Sequence, residues 1–497
     1  MASPKTSEFD LLVVGGGING AGIARDAAGR GLAVLLAEKG DLAGATSGWS
    51  TKLIHGGLRY LEQYEFRLVR EALQEREVLL EIAPHIIRPL LFVLPYDASM
   101  RPIWMIRTGL WIYDRLGGPI TLPRSKAVRF PHLEYSAGLK PDLRSGFVYS
   151  DCRVDDARLT ILNAVSAREK GAQILTRTRF EDARRVEGRW EATLRMPDGS
   201  PRIVHAKALV NAAGPWVIDA LETIHGERIR DKVRLVKGSH IIVPKVHSQG
   251  HALMLQNTDK RVVFVIPYQN DFSLIGTTDV AVESVEEAAR ITPAEIDYLL
   301  AAVNRFLAKP LEASSIVSTY AGVRPLHDDG SDNPSEVTRD YFLKMDVDRG
   351  RAPLLTVFGG KITTYRRLAE EALEHLEKFF PGAKRPWTAG EELPGGDVGH
   401  FNAFRDAMHA RYPELGRELV EAVVRRHGSR TTQVLGDARF PEALGRNFGG
   451  CLTEREVKYL VANEWAQTAE DILWRRTKSG LHMNSAQREA FAQFMGR

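Results

Sequence analysis

Cysteine is the scarcest feature of this chain, whose 497 residues include only Cys152 and Cys451. Two thiols provide neither a disulfide framework nor a ligand cluster for structural zinc, so we expect a reducing compartment and no metal site. No apolar run approaches the roughly 18 residues that span a bilayer, and residues 1–10 lack the hydrophobic region of a signal peptide. The net charge of +4 is small and does not by itself indicate nucleic-acid binding. We therefore expect a cytosolic protein, either free or peripheral to a membrane.

The overall composition is that of an ordinary globular protein, with 44% hydrophobic and 26% charged residues. A chain of this length exceeds the size of one compact core, so two or three domains are expected. Strand and helix patterns alternate at the start of the chain, hairpin patterns follow in the middle, and helical patterns dominate after residue 396.

Residues 10–40 combine two short apolar strands with a glycine turn and a helix between them. Gly15, Gly17 and Gly20 occupy the three positions of a G-x-G-x-x-G pattern. The first glycine permits a tight turn, the second lets the backbone approach a pyrophosphate, and the third lets the helix pack on the strand. Glu38 ends the second strand, where a carboxylate accepts hydrogen bonds from an adenosine ribose. The pattern predicts a dinucleotide site, because a purely structural glycine turn would leave Glu38 unexplained.

The following segment, residues 43–60, is small, polar and glycine-rich, which suits an extended ligand lying against it. Its hydroxyl groups and the Lys52 cation can meet a pyrophosphate, and Arg59 can hold a phosphate or a carboxylate through two hydrogen bonds. The alternative is an ordinary loop in which Arg59 pairs with a local carboxylate.

Two later segments also suggest a close approach of backbone to a ligand. A strand runs into Asn211-Ala212-Ala213-Gly214, which is either a second backbone approach or a plain strand-to-helix turn. Gly359-Gly360-Lys361 precedes a predicted helix over residues 366–379. The unpaired N–H groups of such a helix start favour an anion, and in a flavoprotein the natural one is the charge at N1 and O2 of the reduced flavin.

Residues 232–280 have the alternation and turns of antiparallel hairpins, with His240 on a strand. A lone histidine on a strand is more often a core or surface residue than a base. Its candidacy therefore depends on the residues that the fold brings near it.

Residues 100–116 form a predicted helix with tryptophan beside arginine on an apolar background, namely Arg101, Trp104, Arg107, Trp111 and Arg115. This pattern suits a bilayer interface with anionic headgroups, although a core helix with a solvated arginine edge explains it nearly as well. The basic run at residues 475–478 is better explained as the cationic end of a helix than as a nucleic-acid patch.

Taken together, the motifs resemble the FAD-dependent glycerol-3-phosphate dehydrogenase family, in its aerobic respiratory branch. The resemblance covers nearly the whole chain and is carried, in family order, by VVGGGINGAGIARDAAGRGL, STKLIHGGLRYL, NAAGPW, LVKGSHIIVP, YAGVRPL, VTRDY and FGGKITTYR. It implies an α/β fold: a Rossmann-like FAD-binding domain of the glutathione-reductase and D-amino-acid-oxidase type, an antiparallel-sheet substrate domain and a C-terminal all-helical domain.

The resemblance also implies where these domains lie. The FAD-binding domain is expected to be discontinuous, over residues 1–90, 146–231 and 316–385. The substrate domain is expected over 91–145 and 232–315, and the helical domain over 388–497.

The implied activity is oxidation of sn-glycerol 3-phosphate to dihydroxyacetone phosphate, with hydride transfer from C2 to flavin N5. Electrons would then pass to a membrane quinone. The protein would lie in the cytoplasm, peripherally associated with the cytoplasmic membrane, without nucleic acid as a partner, and a homodimer is compatible with this picture.

The resemblance further implies which residues form the site. His240 is the expected base, because an imidazole titrates near neutral pH, and Arg324 is expected to stabilise the alkoxide that develops at C2. The expected substrate-binding residues are Arg59, Tyr60, Arg339 and Lys361. The expected cofactor-binding residues are Gly15, Gly17, Ile18, Asn19, Gly20, Glu38, Lys39, Thr46, Ser47, Lys52, Leu53, His55, Gly56, Gly214, Trp216, Gly359, Gly360, Lys361, Ile362 and Thr363.

Three alternatives remain open from the sequence. One is a glycerol-3-phosphate oxidase that passes electrons to oxygen, and another is an amine or amino-acid oxidase with the same fold. The third is a non-catalytic protein that binds flavin or RNA.

Overall fold

The computed structural model describes residues 8–97, 101–130, 134–226, 231–259, 261–327, 340–347 and 352–496. Its strands are β1 (Glu8–Val14), β2 (Val34–Ala37), β3 (Leu53–Ile54), β4 (Ile87–Pro95), β5 (Lys126–Arg129), β6 (Ser145–Val154), β7 (Gln173–Leu175), β8 (Arg179–Val186), β9 (Arg189–Arg195), β10 (Pro201–Asn211), β11 (Val233–Pro244), β12 (Ala252–Gln256), β13 (Val262–Tyr268), β14 (Phe272–Gly276), β15 (Val280–Val282), β16 (Ser318–His327), β17 (Phe342–Asp346), β18 (Leu354–Phe358), β19 (Asn447–Gly449) and β20 (Leu452–Thr453). Its α-helices are α1 (Ile18–Gly29), α2 (Phe66–Ile82), α3 (Ile103–Leu116), α4 (Asp156–Glu169), α5 (Val217–Glu222), α6 (Pro293–Asn304), α7 (Tyr365–Leu376), α8 (Phe401–Arg411), α9 (Arg417–His427), α10 (Thr431–Leu435), α11 (Glu454–Glu464) and α12 (Ser485–Met495).

The first sheet has the order β17-β18-β10-β1-β2-β7, with β9 added to β10 and β8 to β9, and its strands from β18 to β7 run parallel. β1 is apolar and fully buried over Leu11–Val14, as a parallel strand covered on both faces requires. Helices α1, α4 and α7 cover one face, and the β8–β9 hairpin and α5 pack toward the other. The parallel register places Val14, Ala37 and Asn211 at one edge, where the predicted glycine turns begin. The α/β prediction is confirmed.

The second sheet has the order β15-β11-β14-β13-β12-β4-β6-β3, with β16 added to β11 and β5 to β6. It is antiparallel except where β4 and β12 pair in parallel. Strands β3, most of β6 and β16 come from segments that the expected boundaries assign to the FAD-binding domain. β6 pairs with β4, β3 pairs with β6, and β16 pairs with β11, so all three segments add strands to the second sheet. The expected domain boundaries stay a prediction.

The C-terminal segment is the predicted helical domain, with α8 to α12, and it also contains one short hairpin. The short strands β19 and β20 form a hairpin. Three successive residues with left-handed backbone, Gly449, Gly450 and Cys451, reverse the chain between them.

The basic run at residues 475–478 does not form an exposed helix end. Arg475 and Arg476 are buried in a π-helical turn over Asp471–Arg476, and both bind the buried carboxylate of Asp41. Lys478 likewise pairs with Asp155, the residue before α4. These cations therefore fasten the C-terminal segment to the loop that follows β2 and to the start of α4.

We predict that Arg476→Met destabilises the protein by about 3–5 kcal/mol, because the substitution leaves Asp41 buried with one partner fewer. Urea unfolding of the FAD-loaded protein measures this change. Lys458→Met is the control, since Lys458 pairs with Glu454 at the surface, where water and salt screen the interaction. Equal losses in the two variants would contradict the stabilising role of the buried pair.

Candidate active site

A cavity of about 580 Å³ lies at the carboxyl edge of the first sheet and extends to the face of the second. Three glycine-rich segments that follow parallel strands form its floor: the turn after β1, residues 212–216 after β10, and residues 359–363 after β18. Residues from β11, β13 and β16 form the opposite wall. The cavity is thus built where the ends of parallel strands meet, which is where open α/β sheets bind ligands.

The first glycine turn has the geometry that its pattern predicts. Gly15 has a φ of 107°, and a Cβ there would overlap the Ala212 carbonyl oxygen. A Cβ on Gly20 would overlap the Gly15 carbonyl, so Gly20 lets α1 pack on β1. Gly17 caps α1 without a side-chain hydrogen bond, and the Ile18 N–H is bound by the Ser47 hydroxyl at 2.9 Å.

The first and third glycine segments are tied to each other. Asn19 Nδ2 donates to the Gly359 carbonyl at 3.0 Å, across 340 positions of sequence. Gly359 and Gly360 both have left-handed backbone, and a Cβ on Gly360 would crowd the Asn19 amide. The two turns therefore act as one backbone cradle.

Glu38 lies beneath the first turn and accepts hydrogen bonds from the backbone N–H groups of Gly16, at 2.6 Å, and Gly40, at 2.7 Å. Burial raises the pKa of Glu38, while these two N–H groups oppose that shift. Its carboxylate is thereby held at the end of β2, where the fingerprint expects a ribose partner.

The far end of the cavity carries the predicted residues Lys39 and Trp216, together with Arg179 and Phe180, which the sequence did not single out. Lys39 Nζ lies 3.3 Å from the centroid of the Trp216 ring, and burial lowers the pKa of Lys39. Arg179 and Phe180 line the same end. They follow closely after β7, the strand that pairs with β2, and the order of the parallel strands is the signal that could have found them.

His240 lies on β11 in the wall formed by the second sheet. It pairs in register with Tyr320 of β16, and the two rings stack at 4.7 Å. His240 Nε2 is 3.1 Å from the Thr51 hydroxyl. Burial lowers the pKa of His240 well below its ordinary value, and the positive charges of Lys52 and Arg324 lower it further. The ring is therefore neutral at neutral pH, the state in which it can accept a proton.

Arg324 reaches the cavity from β16. Its guanidinium binds Asp279 Oδ1 at 2.6 Å and the Thr278 carbonyl at 3.3 Å. Gly238 lies directly against this guanidinium, and a Cβ at that position would displace it. Arg324 is thus held in place beside the strand that carries His240.

The predicted substrate-binding residues are brought together in part. Lys361 Nζ lies 3.8 Å from the centroid of the Tyr60 ring, and both residues line the cavity. Arg59 is half-buried beside Tyr60 in the 3₁₀ turn over Leu58–Gln63 and is not among the cavity-lining residues. Arg339 lies outside the described residues.

Most predicted cofactor-binding residues line the cavity: Gly15, Gly17, Ile18, Asn19, Glu38, Lys39, Thr46, Ser47, Leu53, His55, Gly214, Trp216, Gly359, Gly360, Lys361, Ile362 and Thr363. Gly20, Lys52 and Gly56 are not among the lining residues, and their assignment to the cofactor stays a prediction. Lys52 has a left-handed backbone and its ammonium group contacts both carboxylate oxygens of Asp156 at 2.8 Å. The Gly56 N–H donates to the Tyr113 hydroxyl at 2.8 Å, and its Cα faces the Leu73 side chain.

These features fit FAD. The glycine turns leave room for a diphosphate, the start of α1 would favour its charge, and the Glu38 carboxylate lies at the end of β2, where it would meet an adenosine ribose. The fold and the cavity together define an FAD-dependent oxidoreductase.

Comparison with known proteins also identifies the chain as an FAD-dependent oxidoreductase. A family model described as FAD dependent oxidoreductase matches residues 10–366, and one described as the C-terminal domain of alpha-glycerophosphate oxidase matches residues 387–496. D-erythritol 1-phosphate dehydrogenase of Brucella abortus (strain 2308) is 52% identical over 99% of this chain and 98% of its own. Aerobic glycerol-3-phosphate dehydrogenase of Escherichia coli (strain K12) is 50% identical over 98% of this chain and 97% of its own.

A solved structure agrees with these similarities. The glycerol-3-phosphate dehydrogenase from Bacillus halodurans, complexed with FAD, superposes with a TM-score of 0.76 and 28% identity, covering 99% of this chain and 91% of that one. The chain belongs to the FAD-dependent glycerol-3-phosphate dehydrogenase family, and FAD is its cofactor. The predicted family, fold class and cofactor are confirmed.

We predict that Gly15→Ala lowers FAD content at least about tenfold, because the added methyl group would overlap the Ala212 carbonyl in a left-handed turn. The ratio of flavin to protein absorbance after purification measures this. Gly171→Ala is the matched control: Gly171 has a φ of 101°, but a Cβ there meets nothing within 4 Å. An equal loss of FAD in both variants would show that backbone strain, rather than close approach at the cradle, is responsible.

Proposed function

We propose that this protein oxidises the secondary alcohol of a polyol phosphate, with sn-glycerol 3-phosphate as the substrate and dihydroxyacetone phosphate as the product. The observation that carries the proposal is the convergence of a neutral buried histidine, a guanidinium and an ammonium group on one cavity beside the FAD cradle. The names of the two relatives given above support a phosphorylated polyol.

In the proposed mechanism, His240 accepts the proton of the substrate C2 hydroxyl. Arg324 stabilises the negative charge that develops on that oxygen, and its fixed contact with Asp279 keeps the guanidinium in position. FAD held by the glycine segments after β1 and β18 would supply the redox chemistry, as the acceptor of the C2 hydrogen and its electron pair when the alcohol becomes a ketone.

The phosphate is proposed to bind at the end of the cavity formed by Lys361 and Tyr60. An ammonium group at the glycine-rich start of a helix attracts a dianion through both its own charge and the N–H groups around it. Arg59, adjacent to Tyr60, and Arg339 are proposed to add guanidinium groups. Such anchoring converts binding energy of the phosphate into alignment of C2.

The proposal also has to decide which polyol phosphate is the substrate. The relative from Brucella abortus acts, by its name, on a four-carbon polyol phosphate, and it is as similar to this chain as the glycerol-3-phosphate dehydrogenase of Escherichia coli. D-erythritol 1-phosphate is therefore the second candidate substrate. The ratio of kcat/KM for the two compounds decides between them.

We predict that anaerobic glycerol 3-phosphate bleaches the flavin absorbance of the purified protein, and that His240→Gln slows this reduction by about 10²- to 10⁴-fold with little change in substrate affinity.

The rate of flavin reduction is also expected to depend on pH. Because the pKa of His240 is lowered, the wild-type rate stays constant from about pH 8 to 6.5 and falls only below that. Stopped-flow spectroscopy measures both the effect of the substitution and the pH dependence.

Absence of bleaching with either polyol phosphate would contradict the proposed function. A wild-type rate that already falls at or above pH 6.5 would contradict the role of a buried, neutral His240. Reoxidation by air as fast as by a soluble quinone analogue would identify an oxidase instead of a dehydrogenase.

We propose further that electrons pass to a membrane quinone and that α3 contacts the membrane surface. In the part of the chain that the structure describes, no helix has both the length and the apolar composition to cross a bilayer. Trp104 and Trp111 of α3 are 66% and 56% exposed, and Ile103 and Met105 are exposed beside them. Exposed tryptophan near arginine is typical of helices that lie in the membrane interface.

We predict that the double substitution Trp104→Ala and Trp111→Ala weakens binding to vesicles of phosphatidylethanolamine and phosphatidylglycerol by about tenfold or more, because two interfacial side chains are lost. Vesicle flotation measures the bound fraction. Phe440→Ala, which removes a 57% exposed aromatic side chain from the C-terminal segment, is the matched control. Equal binding of all three proteins would contradict the assignment of α3.

A further inference from the structure

The carboxylate of Asp156 binds both Ser50 and Lys52. Asp156, in the first turn of α4, accepts hydrogen bonds from the Ser50 N–H at 3.1 Å and the Ser50 hydroxyl at 2.8 Å. The same carboxylate binds the Lys52 ammonium. Asp156 and Lys52 are both buried, so this attachment is shielded from water.

Thr51 lies between these two anchored residues and lines the cavity. Its hydroxyl oxygen is 3.1 Å from His240 Nε2. The face of the His240 ring is covered by Tyr320, whose own hydroxyl donates to the Ser50 carbonyl at 2.7 Å. The segment that Asp156 anchors therefore holds the imidazole at its edge, through Thr51, and indirectly at its face, through Tyr320.

The two ring nitrogens of His240 differ in their hydrogen bonding. Nδ1 is buried and has no hydrogen-bond partner among the described residues. Among the described residues, the His240 ring is therefore oriented by one hydrogen bond, at Nε2. In the described part of the chain, the Thr51 hydroxyl is the group placed to make that bond.

We propose that Thr51 is a positioning residue for His240: its hydroxyl, held by the Asp156–Lys52 pair, fixes the orientation of the ring. This inference rests on the proposed function, in which His240 accepts the substrate proton. Lys52, expected from sequence to meet the cofactor, anchors the backbone next to Thr51.

The kinetic test compares Thr51→Val, which keeps the shape but removes the hydroxyl, with Thr51→Ser, which restores it. At saturating substrate and FAD, Thr51→Val is expected to lower the rate of anaerobic flavin reduction by about 10- to 100-fold, with a smaller change in KM, because the base is misaligned. Thr51→Ser is expected to keep most of the rate. Thr319→Val, at an exposed position of β16 next to Tyr320, is the control.

A second measurement does not depend on turnover. In FAD-loaded protein labelled with ¹⁵N-histidine, the ring resonances of His240 are assigned by their absence in His240→Gln. Thr51→Val is expected to shift these resonances, and Thr51→Ser and Thr319→Val are expected to leave them in place.

The two measurements separate the inference from the proposed function. Unshifted His240 resonances in Thr51→Val, or an unchanged reduction rate in that variant, would overturn the positioning role. If the resonances shift but glycerol 3-phosphate and D-erythritol 1-phosphate fail to bleach the wild-type flavin, Thr51 still orients His240 and it is the proposed function that fails.

Discussion

The geometry of the site depends on two buried carboxylates, Asp41 and Asp156, which anchor the two ends of the loop over residues 41–52. Asp41, at the start of the loop after β2, is opposed by Arg475 and Arg476, and Asp156 is opposed by Lys52 near the end of the loop. A buried carboxylate without a partner costs several kcal/mol, so these pairs fix where residues 41–52 lie. That loop forms one wall of the cavity and carries Thr51 against His240. The C-terminal segment is thus a structural part of the site, although no residue of it lines the described cavity.

The remaining walls follow from the way in which the two sheets meet. Parallel strands of the first sheet end in glycine turns that favour a diphosphate, whereas antiparallel strands of the second sheet present His240 and Arg324. Neither sheet contains a complete site. Because the chain alternates between the two sheets, the glycine turns of one sheet and His240 and Arg324 of the other line the same cavity.

Local sequence patterns predicted much of this arrangement. The fingerprint from Gly15 to Gly20, Glu38 at the end of β2, and the turn before α7 each depend on residues close together in sequence, and all three have the expected geometry. The roles of Lys52 and of Arg475 and Arg476 were not predictable, because their partners lie 104 and about 434 positions away. A lysine that could meet a pyrophosphate and one that anchors a loop look the same until the fold supplies Asp156.

A crystal structure of the FAD-loaded protein with a three-carbon polyol phosphate or a close analogue would test the proposed site directly. We expect the phosphate against Lys361 and Tyr60, and the C2 oxygen within hydrogen-bond distance of the His240 imidazole and near the Arg324 guanidinium. A ligand whose phosphate lies away from Lys361, or whose C2 oxygen lies beyond reach of His240, would contradict it.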